Sequence, residues 1–280
     1  MIKITSDSTC DLSEDLLRRY RIGISPLTII KGEKEFLDGR DISPQDIFAH
    51  VAAGGELCKT SAVNVADYAD FFAPLAEKYE AVVHLNLGAK FSSCHQNALL
   101  AAEDFPNVYI ADSQNLSTGH GHLVLQAAEM AEQGLPAEEI VERLRKLAPL
   151  VEASFVIDTM EYLQKGGRCS SLAAFAATAL KMKPSIKVEE GAMTVGKKYR
   201  GSLEKCLRQY IHDRLAGRED IDLRRIFVTH ALCPPEMVEM AVEEVRKYQP
   251  FQEVLVTTAG CTVSCHCGPN TLGILFLRKT

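Results

Sequence analysis

Two hydroxyl-bearing segments and one histidine carry most of the chemistry available to this sequence. Lys59-Thr60-Ser61 stands just ahead of Asn64, a residue type that caps helices through its side-chain oxygen. Two adjacent hydroxyls before a helix N-terminus can donate to an anion; simple capping is the plainer reading. Gly88-Ala89-Lys90-Phe91-Ser92-Ser93 joins a buried-strand pattern to a helical one. Backbone N–H groups and the Ser92 hydroxyl at such a junction suit a carboxylate or an oxyanion. The segment is neither a phosphate loop, lacking a Gly-Lys-[Ser/Thr] ending, nor a dinucleotide fingerprint. Ser92 with His95 resembles half of a nucleophilic dyad, but no Gly-x-Ser-x-Gly elbow surrounds it.

Four further segments invite a functional reading. Ser6-Asp7-Ser8-Thr9-Cys10-Asp11-Leu12 closes the first strand pattern, and open α/β sheets bind ligands at the carboxyl ends of strands. Asp7 could act there as an acid or a metal ligand; alternatively Asp7 and Ser8 only shape the turn through local hydrogen bonds. His120 and His122 lie two residues apart after Asp112, without a Cys or carboxylate at a metal-site spacing. Cys261, Cys265, His266 and Cys267 cluster near the end. Cys-His-Cys in direct succession points alternate side chains apart, which argues against zinc. His266 precedes the turn-forming Gly268-Pro269, a placement that could fix its ring at a domain seam. Gly166-Gly167 permits positive φ and the close approach of another backbone, or ends a helix.

The elements that must position these residues alternate along the first half. A strand at residues 2–6 is followed by a helix capped by Ser13, with Glu14 and Asp15 in its first turn. Ser43-Pro44 and Asn64, with Asp67 three residues on, start two more helices. Strands at 81–87 and 107–112 alternate with helices at 93–104, 117–133 and 136–147. That alternation predicts a mostly parallel sheet with flanking helices. The second half reads as strands at 155–158, 185–188, 193–200, 226–229, 254–258 and 272–277. Helices at 203–215 and 235–248 and a small-residue helix at 172–180 accompany them. A hairpin turn at Glu190-Gly191 completes a pattern that predicts a two-layer α+β domain. The expected fold is therefore a two-domain α/β protein, with domains at residues 1–150 and 151–280.

Composition narrows the function classes. The 280 residues carry a formal charge of -6, and the densest basic stretch, Lys197-Lys198-Tyr199-Arg200, is too short to argue for nucleic acid. No apolar run approaches the roughly 20 residues of a spanning helix, and the N-terminus has no signal-peptide pattern. A cytoplasmic location is expected. Nine cysteines at irregular spacing then read as free thiols in a reducing compartment.

Taken in order, the segments resemble the DegV family, which includes the fatty-acid-binding B subunits of bacterial fatty acid kinase. The resemblance rests on Ser6-Asp7-Ser8-Thr9-Cys10-Asp11-Leu12, Lys59-Thr60-Ser61, Phe91-Ser92 with Gln96, and Asp112-Ser113 with Ser117 and Gly119. Tyr162-Leu163-Gln164-Lys165-Gly166-Gly167-Arg168, Lys183-Pro184, Lys198-Tyr199-Arg200-Gly201 and His266-Cys267-Gly268-Pro269 complete it. It implies two α/β domains with a long-chain fatty acid between them. The carboxylate would be held by Thr60, Ser61 and Ser92, with His266 and Arg200 near the head. Asp7, Ser8, Ser117, Gly119, Gly166 and Gly167 lie on the same matching segments and are further expected contributors. Hydroxyls, helix-terminal amides, His and Arg are the donors a carboxylate needs. A sixteen-carbon tail withdrawn from water gains on the order of 10 kcal/mol before binding costs. The small residues Ala173, Ala174, Ala176, Ala177 and Ala179 could leave room for it, or could simply pack closely.

The implied role is a carrier that presents the fatty-acid carboxylate to an ATP-dependent fatty acid kinase for acyl-phosphate formation. ATP would belong to the partner, since this chain has no phosphate-binding loop. No cofactor beyond the bound fatty acid, no metal, no nucleic acid and only peripheral or transient membrane contact are expected. Two other classes stay open: an acyl hydrolase using Ser92 with His95 or His266, and a metal sensor using Cys265, His266 and Cys267. The family often has Thr-Ser-Gln-Pro-Ser where this chain has Thr60-Ser61-Ala62-Val63-Asn64, Ser-Gly-Thr-Tyr-Gln in place of Ser92-Ser93-Cys94-His95-Gln96, and Gly-Pro-Gly in place of Gly268-Pro269-Asn270. These departures bear on chain-length preference or ligand class.

Overall fold

Strand β1 (Ile2–Asp7) buries its last four residues, whatever face they point to. That is the signature of a parallel strand covered on both sides. A single 3-10 turn (Ser8–Cys10) and helix α1 (Glu14–Arg19) follow, the latter capped by Ser13, which accepts from Leu16 N–H. Next come β2 (Gly23–Ser25), β3 (Thr28–Lys31) and β4 (Lys34–Leu37). Helix α2 (Pro44–Ala52) starts on a Ser43–Asp46 capping box, and α3 (Val65–Lys78) starts on Asn64. Between them lies β5 (Lys59–Ser61). The half closes with β6 (Ala81–Asn86), α4 (Cys94–Ala102), β7 (Val108–Asp112), α5 (Ser117–Glu132) and α6 (Ala137–Leu147). The computed structural model describes residues 1–167 and 182–279. The small-residue stretch 172–180 lies outside the described residues.

The second half comprises β8 (Val151–Val156), α7 (Glu161–Lys165), β9 (Lys183–Glu189), β10 (Ala192–Tyr199) and α8 (Leu203–Leu215). It continues with β11 (Ile221–Ala231), α9 (Pro235–Tyr248), β12 (Glu253–Thr258), α10 (Cys261–Cys267) and β13 (Thr271–Arg278). Two main sheets result. The first runs β2-β1-β6-β7, all parallel. The second runs β10-β9-β8-β13-β11-β12, antiparallel except for β11 beside β12. The expected α/β and α+β halves are both present. A small antiparallel sheet, β4-β3-β5, was not expected; its strands are only three or four residues long.

Strand β8 begins four residues earlier than its pattern suggests, because Glu152 and Ser154 read as loop. Both are satisfied from outside the strand. Glu152 pairs with Arg214, Arg218 and Arg278, and Ser154 hydrogen-bonds the Tyr210 hydroxyl at 2.8 Å.

Helix α5 is the layer between the two main sheets. It is buried on nearly every side, with polar residues such as Thr118, His120 and His122 among its buried positions. Its core joins Ile4 and Leu85 of the first sheet to Phe227 and Leu275 of the second. His120 and His122, two residues apart and so on opposed sides of the helix, face different sheets. His120 Nε2 meets Ser6 Oγ at 3.1 Å, and His122 Nε2 donates toward the Leu275 carbonyl at 3.0 Å. Burial holds both rings below the ordinary histidine range. Gly121 is required here, because a Cβ would lie 2.5 Å from the Cys10 carbonyl oxygen.

Candidate functional site

The carboxyl ends of β1, β6 and β11, together with β5 and α10, surround a cavity of about 440 Å³ between the two halves. The first half contributes Thr60, Ser61, Phe91, Ser92, Ser93 and Asn97; the second contributes Phe155, Leu163, Met193, His230, Val263 and His266. Among the described residues lining it there is no Asp, Glu, Lys or Arg. Any charge placed inside would be met by hydroxyl, amide and imidazole groups.

Those donors form one group. Thr60 Oγ1 lies 2.9 Å from His266 Nε2, across the seam between β5 and α10. Asn97 Nδ2 donates to the Val63 carbonyl at 2.8 Å, tying the first turns of α4 to the segment just after Ser61. Ser92 Oγ accepts from Cys94 N–H at 3.2 Å and directs its own proton only at the Cys94 sulfur, 3.2 Å away. A thioether- or thiol-type sulfur is a weak acceptor, so this hydroxyl can turn to a stronger one at little loss. On the other side Phe155, Leu163 and Met193 belong to one apolar cluster, against which Phe91 and Leu116 also pack. The cavity thus carries polar groups from β5, the Ser92 turn and α10, and an apolar cluster around Phe155, Leu163 and Met193.

Two buried acidic side chains of the first half, Asp38 and Asp11, hold α10, and with it His266, in place. Asp38 Oδ1 accepts from Cys261 N–H at 2.9 Å; Asp38 Oδ2 accepts from Thr262 N–H at 3.1 Å, Thr262 Oγ1 at 2.6 Å and Ser8 Oγ at 2.9 Å. Asp11 accepts from Gly260 N–H at 2.8 Å and from Ser117 Oγ at 2.5 Å. These bonds satisfy the free N–H groups at the start of α10, which has no side-chain cap of its own. His266 therefore sits near the end of a helix, just before the turn at Gly268-Pro269.

The expected contributors divide accordingly. Thr60, Ser61, Ser92, Ser117 and His266 line the cavity. Asp7 does not: it is wholly buried and accepts from Thr9 N–H, Thr9 Oγ1 and Leu87 N–H at 3.0, 2.6 and 2.6 Å. It pins the start of the Gly88–Ser92 loop rather than facing a ligand. Ser8 bridges Asp38 and Leu27 N–H, and Gly119 lets α5 approach Ala153. Arg200 is exposed and is absent from the described lining. Tyr199 turns inward to Asp213, so its neighbour on the strand end turns outward. Gly167 takes a left-handed φ of 70° just beyond the end of α7. Gly166, the helix-ending residue, packs on the His266 ring, and a Cβ there would lie 2.4 Å from His266 Nδ1 and 2.8 Å from the Tyr162 carbonyl oxygen. The expected close approach is real, but its partner is an imidazole and not a backbone. Gly166→Ala is expected to displace that ring and break the Thr60 contact. The His266 imidazole NMR signals should shift while far-UV circular dichroism stays unchanged; unmoved signals would count against the packing role.

The Ser92–His95 pairing of the hydrolase reading is not formed. Ser92 bonds Cys94 and not His95, whose ring burial keeps below the ordinary histidine range. Among the described residues no group of three His, Cys, Asp or Glu side chains could hold a metal ion. Asn97 and His230 are lining residues that the sequence reading passed over. His230 ends β11, and its position at the carboxyl end of a strand was the available signal.

The family model described as "Uncharacterised protein, DegV family" matches residues 1–279. The chain belongs to the DegV family. A DegV domain-containing protein of Caldanaerobacter subterraneus subsp. tengcongensis is 30% identical over 99% of both chains. Among solved structures, a DegV family protein from Thermus thermophilus described for fatty acid binding superposes with a TM-score of 0.90 at 29% identity, covering 99% of each chain. A stearic acid-binding protein from Eubacterium ventriosum gives 0.85 at 27% identity, covering 100% of this chain and 99% of that one. The arrangement of two main sheets around α5 in this DegV protein is thus shared with these solved structures. No helix among its described residues is long and apolar enough to cross a membrane.

Proposed function

We propose that this DegV protein holds one long-chain fatty acid in the cavity, its carboxylate among Thr60, Ser61, Ser92 and His266 and its tail against Phe155, Leu163 and Met193. One observation carries the reading: hydroxyl and imidazole groups of β5, the Ser92 turn and α10 converge on one part of the cavity, and Phe155, Leu163 and Met193 form an apolar cluster on another. A carboxylate is strongly hydrogen-bonded by such donors. Each methylene moved from water into the apolar part contributes about 0.8 kcal/mol. The fatty-acid-binding relatives of the same fold support the ligand class.

The finer reading is a cytoplasmic carrier, itself without catalytic groups or a further cofactor. It shields the acyl tail and presents the carboxylate to a separate ATP-dependent kinase that forms the acyl-phosphate. The absence of a phosphate-binding loop from the sequence supports assigning ATP to that partner. Arg200, on the outer surface, would then meet a partner sooner than the ligand.

Native mass spectrometry of the purified protein, followed by denaturing lipid extraction, tests the proposal. One added mass matching a fatty acid is expected. Replacing Thr60, Ser61 and Ser92 together by alanine removes two or more charge-assisted hydrogen bonds, each worth about 1.5–3 kcal/mol, so affinity should fall at least ~100-fold. A protein that stays ligand-free after incubation with fatty acids, or a triple variant that retains them as well as the native chain, would overturn it.

A further inference from the structure

Several cysteines gather around α10, and their thiols do not behave alike. Cys261 Sγ faces the Ile42 carbonyl at 3.2 Å, Cys233 Sγ the Thr271 carbonyl at 3.3 Å, and Cys267 Sγ the Gly268 carbonyl at 3.6 Å. Cys58 and Cys265 instead face each other, joined by a thiol–thiol hydrogen bond. They come from opposite halves of the chain. Cys58 immediately precedes β5 and Cys265 lies on α10, and both are buried in one cluster. Each also stands beside a residue of the cavity: Thr60 is two positions after Cys58, and His266 directly follows Cys265. Strand β5 is an edge of its sheet, and Lys59 next to Cys58 is exposed, so a small oxidant has a short path.

We propose that Cys58 and Cys265 are a redox pair whose oxidation by hydrogen peroxide to a disulfide ties β5 to α10 across the Thr60–His266 contact and slows exchange of the ligand. The regulatory half of this inference rests on the fatty-acid reading; the pairing itself does not. Cys58 is the attacking sulfur. The Cys265 S–H donates to it and draws its thiol down to about 7, with help from the Lys31 charge, while Cys265 is pushed up by the same contact and by burial. A thiolate is the reactive form of cysteine. The Cys58 thiolate attacks the peroxide O–O bond, becomes a sulfenic acid and releases hydroxide, which takes up a proton to become water. The Cys265 sulfur then displaces the hydroxyl from Cys58, which leaves as a second water with the Cys265 proton, and the S–S bond forms. Two thiols are oxidised and one peroxide is reduced to two waters. The Thr60–His266 contact at 2.9 Å, beside these cysteines in sequence, holds the two segments together, so rotation of the two side chains can close an S–S bond of about 2.05 Å. A cross-link joining opposite walls removes the opening motion through which a buried tail leaves.

The test uses the full chain, reduced and then treated with limiting hydrogen peroxide, with free thiols alkylated before digestion. Non-reducing peptide mapping should recover a single linked pair, Cys58 with Cys265, reversible by dithiothreitol. The melting temperature should rise by on the order of 10 °C, as expected for closing so long a loop. Release of bound hexadecanoic acid to an albumin trap should slow at least ~10-fold, and Cys58→Ser and Cys265→Ser should abolish both effects. No cross-link, or one between other cysteines, overturns the pairing; a correct cross-link with unchanged release overturns the regulation. If the reduced protein takes up no hexadecanoic acid, the fatty-acid reading fails and the peptide map still decides the redox pair.

Discussion

Asp38→Ala is expected to destabilise the protein by about 3–5 kcal/mol, among the largest effects a single substitution can have. Asp38 is buried in the first half, yet its four accepted hydrogen bonds include the first N–H groups of α10 in the second. Its removal leaves Cys261 N–H, Thr262 N–H and two hydroxyls without their acceptor inside the protein. Each unsatisfied buried group costs roughly 1–3 kcal/mol, and a helix also loses the carboxylate that favours its positive end. Partial relaxation and water entry keep the sum below the arithmetic total. Urea unfolding followed by circular dichroism measures the change, and a loss under about 1 kcal/mol would contradict the capping role. Asp38→Asn keeps one acceptor oxygen and should lose less. Because α10 carries His266, the alanine variant should also release its ligand faster, even at temperatures where it remains folded.

That cap shows what was legible in the sequence and what was not. Helices with local caps could be read almost to the residue: Ser13, Ser43-Pro44 and Asn64 all stand where the structure uses them. Helix α8 was bounded correctly because Ser202 precedes a clear apolar period. Helix α10 was missed because its cap lies 223 positions away in the chain, and Cys-Thr-Val-Ser-Cys-His-Cys has little helical preference of its own. The same tertiary rescue conceals the start of β8, where Glu152 depends on arginines from α8 and beyond. At the cavity, the hydroxyls of Thr60, Ser61 and Ser92 were legible because loops joining strands to helices gather donors. Arg200 stands exposed just past the end of β10, and sequence order along a strand end does not say which way such a side chain turns. Asp11, which no motif singled out by itself, emerges as a hinge of the seam only once Gly260 and Ser117 are seen to converge on it.

Asp11 also makes that seam sensitive to pH. It sits in a left-handed turn with φ 50°, buried beside Asp38 and Asp7. Burial pushes its carboxyl up to about 8; the hydrogen bonds from Ser117 and Gly260 pull it down, and the neighbouring carboxylates push it up again. An unfolded aspartate titrates near 3.9. Between those values the folded chain keeps a proton that the unfolded chain has released, so stability falls as pH rises. The contribution is full below the unfolded value and is lost as pH passes through about 8. Buried neutral histidines act in the opposite sense at lower pH: His84 and His122, held down to about 3 and 4, stabilise above the ordinary histidine range and lose that contribution as pH falls. Above pH ~6.5 their influence is flat and Asp11 stands alone among these groups. From pH 6.5 to 8.5 the expected loss is ~2 kcal/mol. Asp11→Asn preserves an acceptor for Gly260 N–H and abolishes the titration. Over that window its stability should fall by ~2 kcal/mol less than that of the native chain; parallel native and variant curves would contradict the assignment. Deprotonation places a second full negative charge, beside that of Asp38, at the segment from which α10 springs. The strain falls on the contact between Asp11, Ser117 and Gly260, so the proton that stabilises the fold also steadies the helix that brings His266 to Thr60.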